Sequence, residues 1–425
     1  MSSRTLVSVA AVVLSLSALT GCGSSIAVQA AERGDYAGLR QRLATTKKAM
    51  DGGEARAIAR AVVKHELATA KPEDAVQRID EVRGCLVKVD DLVAQRAKTH
   101  DAAGARAAFF LLDSGIATGD KWRDEVSSED GAWRAVGARL LVSRGQGAKR
   151  RELFLDLDAR VRRSAMYAAA EAGDAADTPL LLETVRLDPD TLARDAALRA
   201  VGRIGSRDIV LSLRDRWATG DEPLRGGIVS AWGTRAGLDA GGRDQLVWVV
   251  ETTRGVPAID AAAILMRGDG ADVGIGRAGL LRAIDDGPTE TRVVALNLAP
   301  LSDPAVLEGV KKASEAPDLR VKVAALSRLA SVPASRAAAL DALGPLAAGN
   351  GGERNAARTA LAQAGDRRVV TLLEQDISAP EPGVRAWAAA QLASMKEWPS
   401  AAPALADDDP SVRTRSACSI LSVRR

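Results

Sequence analysis

Aromatic side chains make up only 3% of this 425-residue chain, with 7 Trp, 3 Phe and 2 Tyr. A core must therefore be built from Ala, Leu, Val and Ile, and such small side chains favour closely packed helices. The chain has only two histidines, His65 and His100, and neither has a second ligand at metal-binding spacing. We expect both to be surface residues and expect no metal or other cofactor.

Sequence motifs for catalysis are also scarce. Gly268, Gly270, Gly274 and Gly276 lie in a predicted turn between helices, so they indicate a break and not a phosphate loop that follows a strand. No Gly-x-Ser-x-Gly elbow occurs, and no serine has a histidine nearby in sequence. We assign no catalytic residue and expect the protein not to be an enzyme.

The charge balance is nearly even. The 58 Lys and Arg residues face 55 Asp and Glu residues, which leaves a net charge of +3. Such a balance argues against nucleic acid as a partner. No segment after the N-terminus has the uncharged length of a transmembrane helix, so any membrane attachment must lie at the N-terminus.

The N-terminus carries an export signal. Arg4 precedes an apolar run from Leu6 to Leu19 that is too short to span a bilayer permanently. The following Leu19-Thr20-Gly21-Cys22 resembles the lipobox of bacterial lipoproteins. The resemblance implies that residues 1–21 are a lipoprotein signal peptide and that Cys22 becomes the lipidated, palmitate-bearing N-terminus. The alternatives are an ordinary signal peptide with a chance cysteine and an uncleaved N-terminal helix.

The resemblance also implies a location. A lipidated Cys22 places the mature protein in a bacterial cell envelope, anchored to a membrane. Gly23 stands where an Asp retains some lipoproteins in the inner membrane, so we favour the outer membrane, on its periplasmic side.

The rest of the chain is repetitive, with a period of about 31 residues. Each unit has a polar turn, an aliphatic residue beside Arg or Lys, an Ala-rich helix, a break and a second helix. Arg106 opens the series, and Asp260 replaces the basic residue in one irregular unit over residues 253–285. The other units are marked by Arg134, Arg162, Arg194, Arg225, Arg292, Lys322, Arg354, Arg385 and Arg413.

Local chemistry predicts helical hairpins. Asp or Glu in each turn can cap exposed N–H groups, and Pro fits the first helical turn, as at Asp409-Pro410. Apolar positions recur at three and four residues, as at Val161, Ala165 and Ala168, and Gly173 stops that helix. A hairpin of this size cannot bury both apolar stripes alone, so neighbouring units must stack into a solenoid.

These units resemble HEAT repeats of the short bacterial type also found in phycobilin lyases. The resemblance rests on Asp188-Pro189-Asp190 with Arg194, Ala197, Val201 and Gly205, and on Glu381-Pro382-Gly383-Val384-Arg385. It implies an all-α fold, an α-α superhelix of about nine to ten helical hairpins. It also implies that the recurrent arginines tie neighbouring repeats together, a structural role that we assign to Arg162, Arg194, Arg225, Arg385 and Arg413.

We divide the mature chain into a lipidated N-terminal helical region, 22–103, and a HEAT-like solenoid, 104–425, that ends in a half repeat serving as a cap. Within the first region, residues 75–97 carry apolar residues at helical spacing and are expected to form one long helix, packed on the first repeat or forming a coiled-coil strand. Cys85 and Cys418 lie near opposite ends of the array, so we expect two buried free thiols and no bridge between them.

These features favour a scaffold in the cell envelope that binds a protein or peptide partner through a solenoid surface. If second helices line the concave side, the candidate contacts with an acidic partner are the basic residues Arg214, Arg216, Arg277, Arg282, Lys311 and Lys312. The alternative is an envelope enzyme or a small-ligand carrier with a pocket inside the superhelix, around the irregular unit at 253–285.

Overall fold

A computed structural model describes residues 25–46, 50–117, 119–268 and 270–424. The predicted signal peptide and Cys22 lie outside these residues. Within them the chain is all-helical with no strand, which confirms the predicted fold class. None of the described helices has the length and apolar character needed to cross a membrane.

The N-terminal region forms five helices, numbered here in chain order. They are α1 (Ile26–Glu32), α2 (Tyr36–Thr46), α3 (Gly52–Thr69), α4 (Pro72–Glu81) and α5 (Leu86–Arg96). The single long helix expected over residues 75–97 is therefore wrong, and with it the coiled-coil alternative. A 3-10 turn at Arg83–Cys85 separates α4 from α5, and Gly84 within it is a weak helix former.

The array consists of ten helical hairpins and a final single helix among the described residues. The first helices of the hairpins are α6 (Ala102–Asp113), α7 (Gly131–Arg139), α9 (Ala159–Ala172), α11 (Thr191–Ile204), α13 (Glu222–Trp232), α16 (Val256–Leu265), α18 (Thr289–Leu298), α20 (Leu319–Leu329), α22 (Arg354–Gln363) and α24 (Pro382–Ser394), followed by the final helix α26 (Pro410–Ser422).

The second layer is more varied. Its α-helices are α8 (Gly147–Leu153), α10 (Thr178–Leu187), α12 (Arg207–Trp217), α15 (Arg243–Thr252), α17 (Ala271–Asp286), α19 (Pro304–Ala313), α21 (Arg336–Ala348), α23 (Val370–Asp376) and α25 (Trp398–Ala401). Asp120–Ser127 fills the second position of the first hairpin as a 3-10 helix. Shorter segments precede or follow some second helices: Arg144–Gln146, Ala175–Asp177, α14 (Arg235–Gly237), Leu238–Gly242, Arg367–Val369 and Ala402–Ala406.

Turn chemistry sets the hairpin boundaries as the sequence predicted. Asp158 accepts the N–H of Arg160 and so caps α9, and Asp409 caps α26 in the same way. Gly173 ends α9 at a φ of 55°, a left-handed conformation that glycine adopts without the steric cost of a Cβ. Hairpin boundaries are therefore encoded locally.

Each first helix packs on the first helix of the next hairpin, from α6 and α7 through to α24 and α26. The series does not stop there, because α26 packs on α3 and α4, and α4 packs on α6. The two ends of the solenoid therefore meet and close a ring of helix contacts. The final helix is an interior element of this ring and not the exposed cap that we expected.

The junction between α26 and the N-terminal helices, which we call the seam, contains a disulfide. Cys85 and Cys418 are bonded across a sequence separation of 333 residues, with their Cα atoms 5.2 Å apart. The expectation of two free thiols was wrong because ring closure brings residues from opposite ends of the array into contact.

Polar groups are buried at the seam beside the disulfide. Arg413 on α26 donates from Nε to Glu66 on α3 at 2.8 Å, and Tyr36 donates its hydroxyl to the same carboxylate at 2.5 Å. Burial, followed by the contact with Glu66, raises the pKa of Tyr36 well above its ordinary value. Ser411 also donates to Glu81 on α4. The seam thus combines apolar packing, hydrogen bonds and one covalent link.

Candidate binding site

A cavity of about 990 Å³ lies on the face formed by the first helices. Its lining comes from α4 and the adjoining Arg83, then from α6, α7, α9, α11 and α13. One continuous cavity bounded by so many successive helices means that this face of the ring is concave. The expectation that second helices line the concave side is wrong for this cavity.

The middle of the cavity is lined by apolar and small residues. Phe109, Phe110, Tyr167 and Leu198 contribute the larger side chains, between alanines such as Ala135 and Ala170. Small side chains at these positions leave space between the helices that larger ones would fill. The Ala-rich composition therefore opens the cavity as well as allowing close helix packing.

One charged row lies where the lining helices end. It contains Asp113 of α6, Arg139 of α7, Glu171 of α9 and Arg203 of α11. Arg139 donates to Glu171 and lies 3.8 Å from Asp113. Its side chain is nine-tenths buried, yet its Nε has no hydrogen-bond partner in the described part of the chain. Such an unsatisfied buried donor is uncommon.

Further charged residues lie along the cavity, at Arg160 in the first turn of α9 and at Asp195 and Arg199 in the middle of α11. Arg160 pairs with Asp158 at 2.6 Å, and Arg199 with Asp195 at 2.9 Å. Arg163 adds a further guanidinium to the lining. The cavity therefore presents apolar and charged side chains side by side along its lining.

Arginine also flanks an aromatic ring at one end of the cavity. The guanidinium carbons of Arg106 and Arg83 lie 4.4 and 5.3 Å from the ring centre of Phe110, within cation–π range. Arg106 also pairs with Asp80 of α4 at 2.6 Å. Arg106, which the sequence marked as opening the repeat series, therefore faces the cavity and pairs with an acid of the N-terminal region.

A different set of arginines connects consecutive repeats, and we call these contacts the arginine ladder. Arg162 donates from Nε and Nη2 to both carboxylate oxygens of Asp188 at 2.7 and 2.8 Å. Its Nη1 donates to the carbonyls of Asp156 and Leu157 in the turn before α9. Arg134 with Asp156, and Arg385 with Asp407, repeat this arrangement.

The ladder continues across the seam with a different acid. Arg413 donates to the carbonyls of Asp407 and Asp408, as the other ladder arginines do to their own turns, but its carboxylate partner is Glu66. Glu66 lies in α3, the helix that follows α26 around the ring. The N-terminal region therefore supplies the contact that a next repeat would supply.

Two of the five assigned arginines lack such a partner. Arg194 has no side-chain hydrogen bond or ion pair among the described residues. Thr219 occupies the position in the next turn that corresponds to Asp188, the partner of Arg162. Arg225 donates only to the carbonyls of Trp217 and Ala218 in its own turn. Except at the seam, where Glu66 is the acid, the ladder contacts described here use the first Asp of an Asp-x-Asp turn, a pattern that sequence reasoning overlooked.

Electrostatics at the ladder favour ionised carboxylates. Burial of Asp188 opposes its ionisation, but Arg162 and the N–H of Asp190 outweigh this and hold its pKa below the ordinary value. For Asp156, the hydrogen bonds from Arg134 are the largest influence and lower its pKa.

The six predicted contact residues all lie on second helices, and none lines the cavity. Arg214 is held over Trp248 and donates to Gln245, and Arg277 pairs with Asp303 at 2.7 Å. Arg282 donates to the carbonyl of Val250. The remaining three are Arg216 of α12 and two lysines of α19. Lys311 pairs with Glu308, and Lys312 pairs with Asp285. These six residues remain predicted contacts with an acidic partner, on a surface other than the cavity.

The irregular unit has only a small pocket, of about 220 Å³, lined in part by Ile264, Arg267 and Asp272. Asp260 is half-buried in α16, and burial raises its pKa while Arg267 opposes the rise. Neither histidine lies in such a pocket: His65 touches the carbonyl of Glu32, and His100 stacks on Trp133 with ring centres 4.7 Å apart. The described residues contain no cluster of three or more His, Cys, Asp or Glu suited to a metal ion.

The cavity arginines were missed because the sequence analysis sought cations on second helices. A signal was nevertheless present. Arg160 and Arg163, and Arg199 and Arg203, lie three or four residues apart on Ala-rich first helices and so share one helix face.

Comparison with protein-family models and with curated proteins finds no match. An engineered protein of known structure aligns over 72% of this chain and 98% of its own, at 18% identity and a TM-score of 0.28. The complex of CpcE and CpcF of phycocyanin lyase from Nostoc sp. PCC7120 aligns over 71% of this chain and 94% of its own, at 17% identity and a TM-score of 0.22. The likeness is too low to carry an argument, so the assignment as a helical-repeat solenoid rests on helix order and contacts.

Proposed function

We propose that this protein is a non-enzymatic scaffold, lipid-anchored through Cys22 in a bacterial cell envelope, that binds a protein or peptide partner in the cavity of the ring. The observation that carries the proposal is the cavity itself, which extends from α4 to α13 on the concave face. A surface of this extent suits a polypeptide better than a single compact ligand, because contacts are spread over many helices.

A small-ligand carrier is the second candidate, and one observation favours it. The cavity volume of about 990 Å³ lies at the upper end of the range of small-molecule pockets. The location first considered for such a carrier, around residues 253–285, has a pocket of only about 220 Å³, which is below that range. A small ligand would therefore also have to occupy the cavity between α4 and α13.

Site-specific photo-crosslinking tests the location of the partner. A photoreactive amino acid replaces Tyr167, inside the cavity, in the full-length protein in its own membranes. A matched control carries it at Leu211, an exposed apolar position on second helix α12. We expect a protein adduct from position 167 and none from position 211. Adducts from position 211 alone would refute the cavity as the binding face, and adducts from neither would favour a small ligand.

The anchor is tested separately. Cys22→Ser removes the thiol that the lipobox resemblance identifies as the acyl acceptor, so the variant should leave the detergent phase in a phase-partition assay. Unchanged partitioning of this variant would contradict the lipoprotein assignment without affecting the cavity.

A further inference from the structure

We infer that the cavity binds an extended, acidic polypeptide segment of about ten residues, with apolar side chains between its carboxylates. The inference rests on the proposed function and adds the chemistry and length of the bound segment. It follows from three properties of the lining: hydrogen-bond donors not used within the protein, an excess of arginine, and the number of helices crossed.

The arginines of the cavity keep donors that those of the ladder have used. A guanidinium has five N–H donors. Arg162 in the ladder makes four hydrogen bonds through three nitrogens. In the cavity, Arg106 makes one, from Nε to Asp80. Arg203 makes none among the described residues. These free donors can receive carboxylates in the two-bond geometry that arginine favours.

The lining carries seven arginines and four carboxylates. Asp158 and Asp190 lie outside the lining against Arg160 and Arg163, at 2.6 and 4.0 Å, and reduce this excess of positive charge, but the remaining excess favours an acidic ligand. Asp113, Glu171 and Asp195 add acceptors that a peptide can satisfy with its backbone N–H groups. A phosphate backbone has no N–H donors for these carboxylates, so the mixed lining favours a peptide.

The length follows from the helix packing. Packed helices lie about 8–10 Å apart, so the four steps from α6 to α13 span about 32–40 Å. An extended chain advances about 3.3 Å per residue, which gives about ten residues. Phe109, Tyr167 and Leu198 lie among these charged residues and provide apolar contacts for side chains on one face of such a segment.

The test uses detergent-solubilised full-length protein and fluorescein-labelled peptides in an anisotropy titration. The probe is a twelve-residue peptide of alternating Glu and Leu. Comparison probes are the same peptide with Gln in place of Glu, a six-residue version, and a single-stranded twelve-nucleotide DNA. Inorganic phosphate and succinate serve as small-anion competitors. We expect the acidic twelve-residue peptide to bind about tenfold or more tightly than the Gln peptide, and more tightly than the six-residue version.

The double variant R199Q/R203Q removes two cavity arginines and should weaken binding of the acidic peptide by about tenfold or more. Its matched control, R186Q/R207Q, makes the same charge change at exposed positions on second helices α10 and α12, and should leave affinity nearly unchanged. Circular dichroism melts verify that both variants fold.

Each contrary outcome has a defined meaning. Equal affinity for the Glu and Gln peptides, tighter binding of the DNA, or full displacement by equimolar succinate or phosphate overturns the acidic-segment inference. Equal binding of the six-residue version overturns the assigned length. If the peptides fail these tests while position 167 still crosslinks a protein, the inference falls and the proposed function stands. Loss of binding in R186Q/R207Q but not in R199Q/R203Q overturns both.

Discussion

Replacing Arg162 with Ala removes one contact of the arginine ladder and tests whether the ladder stabilises the stack. The change deletes two hydrogen bonds to Asp188 and two to carbonyls of the preceding turn. The side chains of Arg162 and Asp188 are 12% and 6% exposed, so the remaining carboxylate would be buried without its counter-charge.

The cost follows from that burial. Removing one partner of a buried ion pair costs about 3–5 kcal/mol. Asp188 would keep the N–H of Asp190, at 2.8 Å, so we expect a loss at the lower end, about 3 kcal/mol. Arg194→Ala is the matched control, because Arg194 occupies the same repeat position without an ion pair, and its charge is the smallest of the influences named on Asp188. Its cost should be no more than about 0.5 kcal/mol.

Hydrogen exchange with mass spectrometry suits this comparison, because stability in repeat proteins is local and a single unfolding midpoint averages over many units. Peptides covering α9 and α10 should exchange about 100-fold faster in Arg162→Ala than in the unmodified protein. In Arg162→Lys the same peptides should exchange at a rate between those of Arg162→Ala and the unmodified protein, since Lys keeps the charge but loses the two-bond geometry. Equal exchange in Arg162→Ala and Arg194→Ala would refute the stabilising role of the ladder.

Three further experiments test the seam, the loss of stability at low pH and the helix packing. Cys418→Ser should lower the free energy of unfolding by about 2–5 kcal/mol, since the bridge closes a very long loop, and a reducing agent should destabilise only the unmodified protein in thermal melts. Because the pKa of Asp188 is lowered in the folded protein, its contribution to stability is complete above the ordinary carboxyl range and is lost as pH falls below about 4. Asp188→Asn should therefore flatten the decline in melting temperature between about pH 5 and 3. An unchanged slope would contradict a lowered pKa of Asp188. Gly202→Ala should destabilise, because its Cβ would lie 2.8 Å from the Cα of Ala231. Gly274 and Gly276 lie inside α17, so the turn predicted over them is wrong, and Gly274→Ala, with nothing within 4 Å of the new Cβ, should stabilise the protein by about 0.5–1 kcal/mol. Equal melting shifts would refute the packing argument.

Local sequence signals were sufficient for the helical hairpins. Asp158 and Asp409 begin helices and Gly173 ends one because capping and left-handed geometry depend on a few neighbouring residues. The same local reasoning failed at residues 75–97. The apolar spacing there continues through a break at Arg83–Cys85, and periodicity alone does not reveal such a break.

The roles of individual arginines were only partly readable. Repeat position alone does not separate Arg162, which pairs with Asp188, from Arg194, which has no ion pair among the described residues. The difference depends on the residue two positions before the next helix cap, Asp188 in one case and Thr219 in the other. This information was present in the sequence, but its use required knowing which groups meet across a repeat boundary.

Local sequence signals are enough to specify the repeating helical hairpin, because caps, breaks and apolar stripes act within about one turn of their own helix. Three features follow only from the folded chain: the ends meet, Cys85 bonds Cys418, and first helices line the cavity. The physical reason is that the path of a solenoid is the sum of small rotations between successive repeats. Each rotation depends on side-chain packing at one interface, so contacts across hundreds of residues do not follow from the pattern of any single repeat.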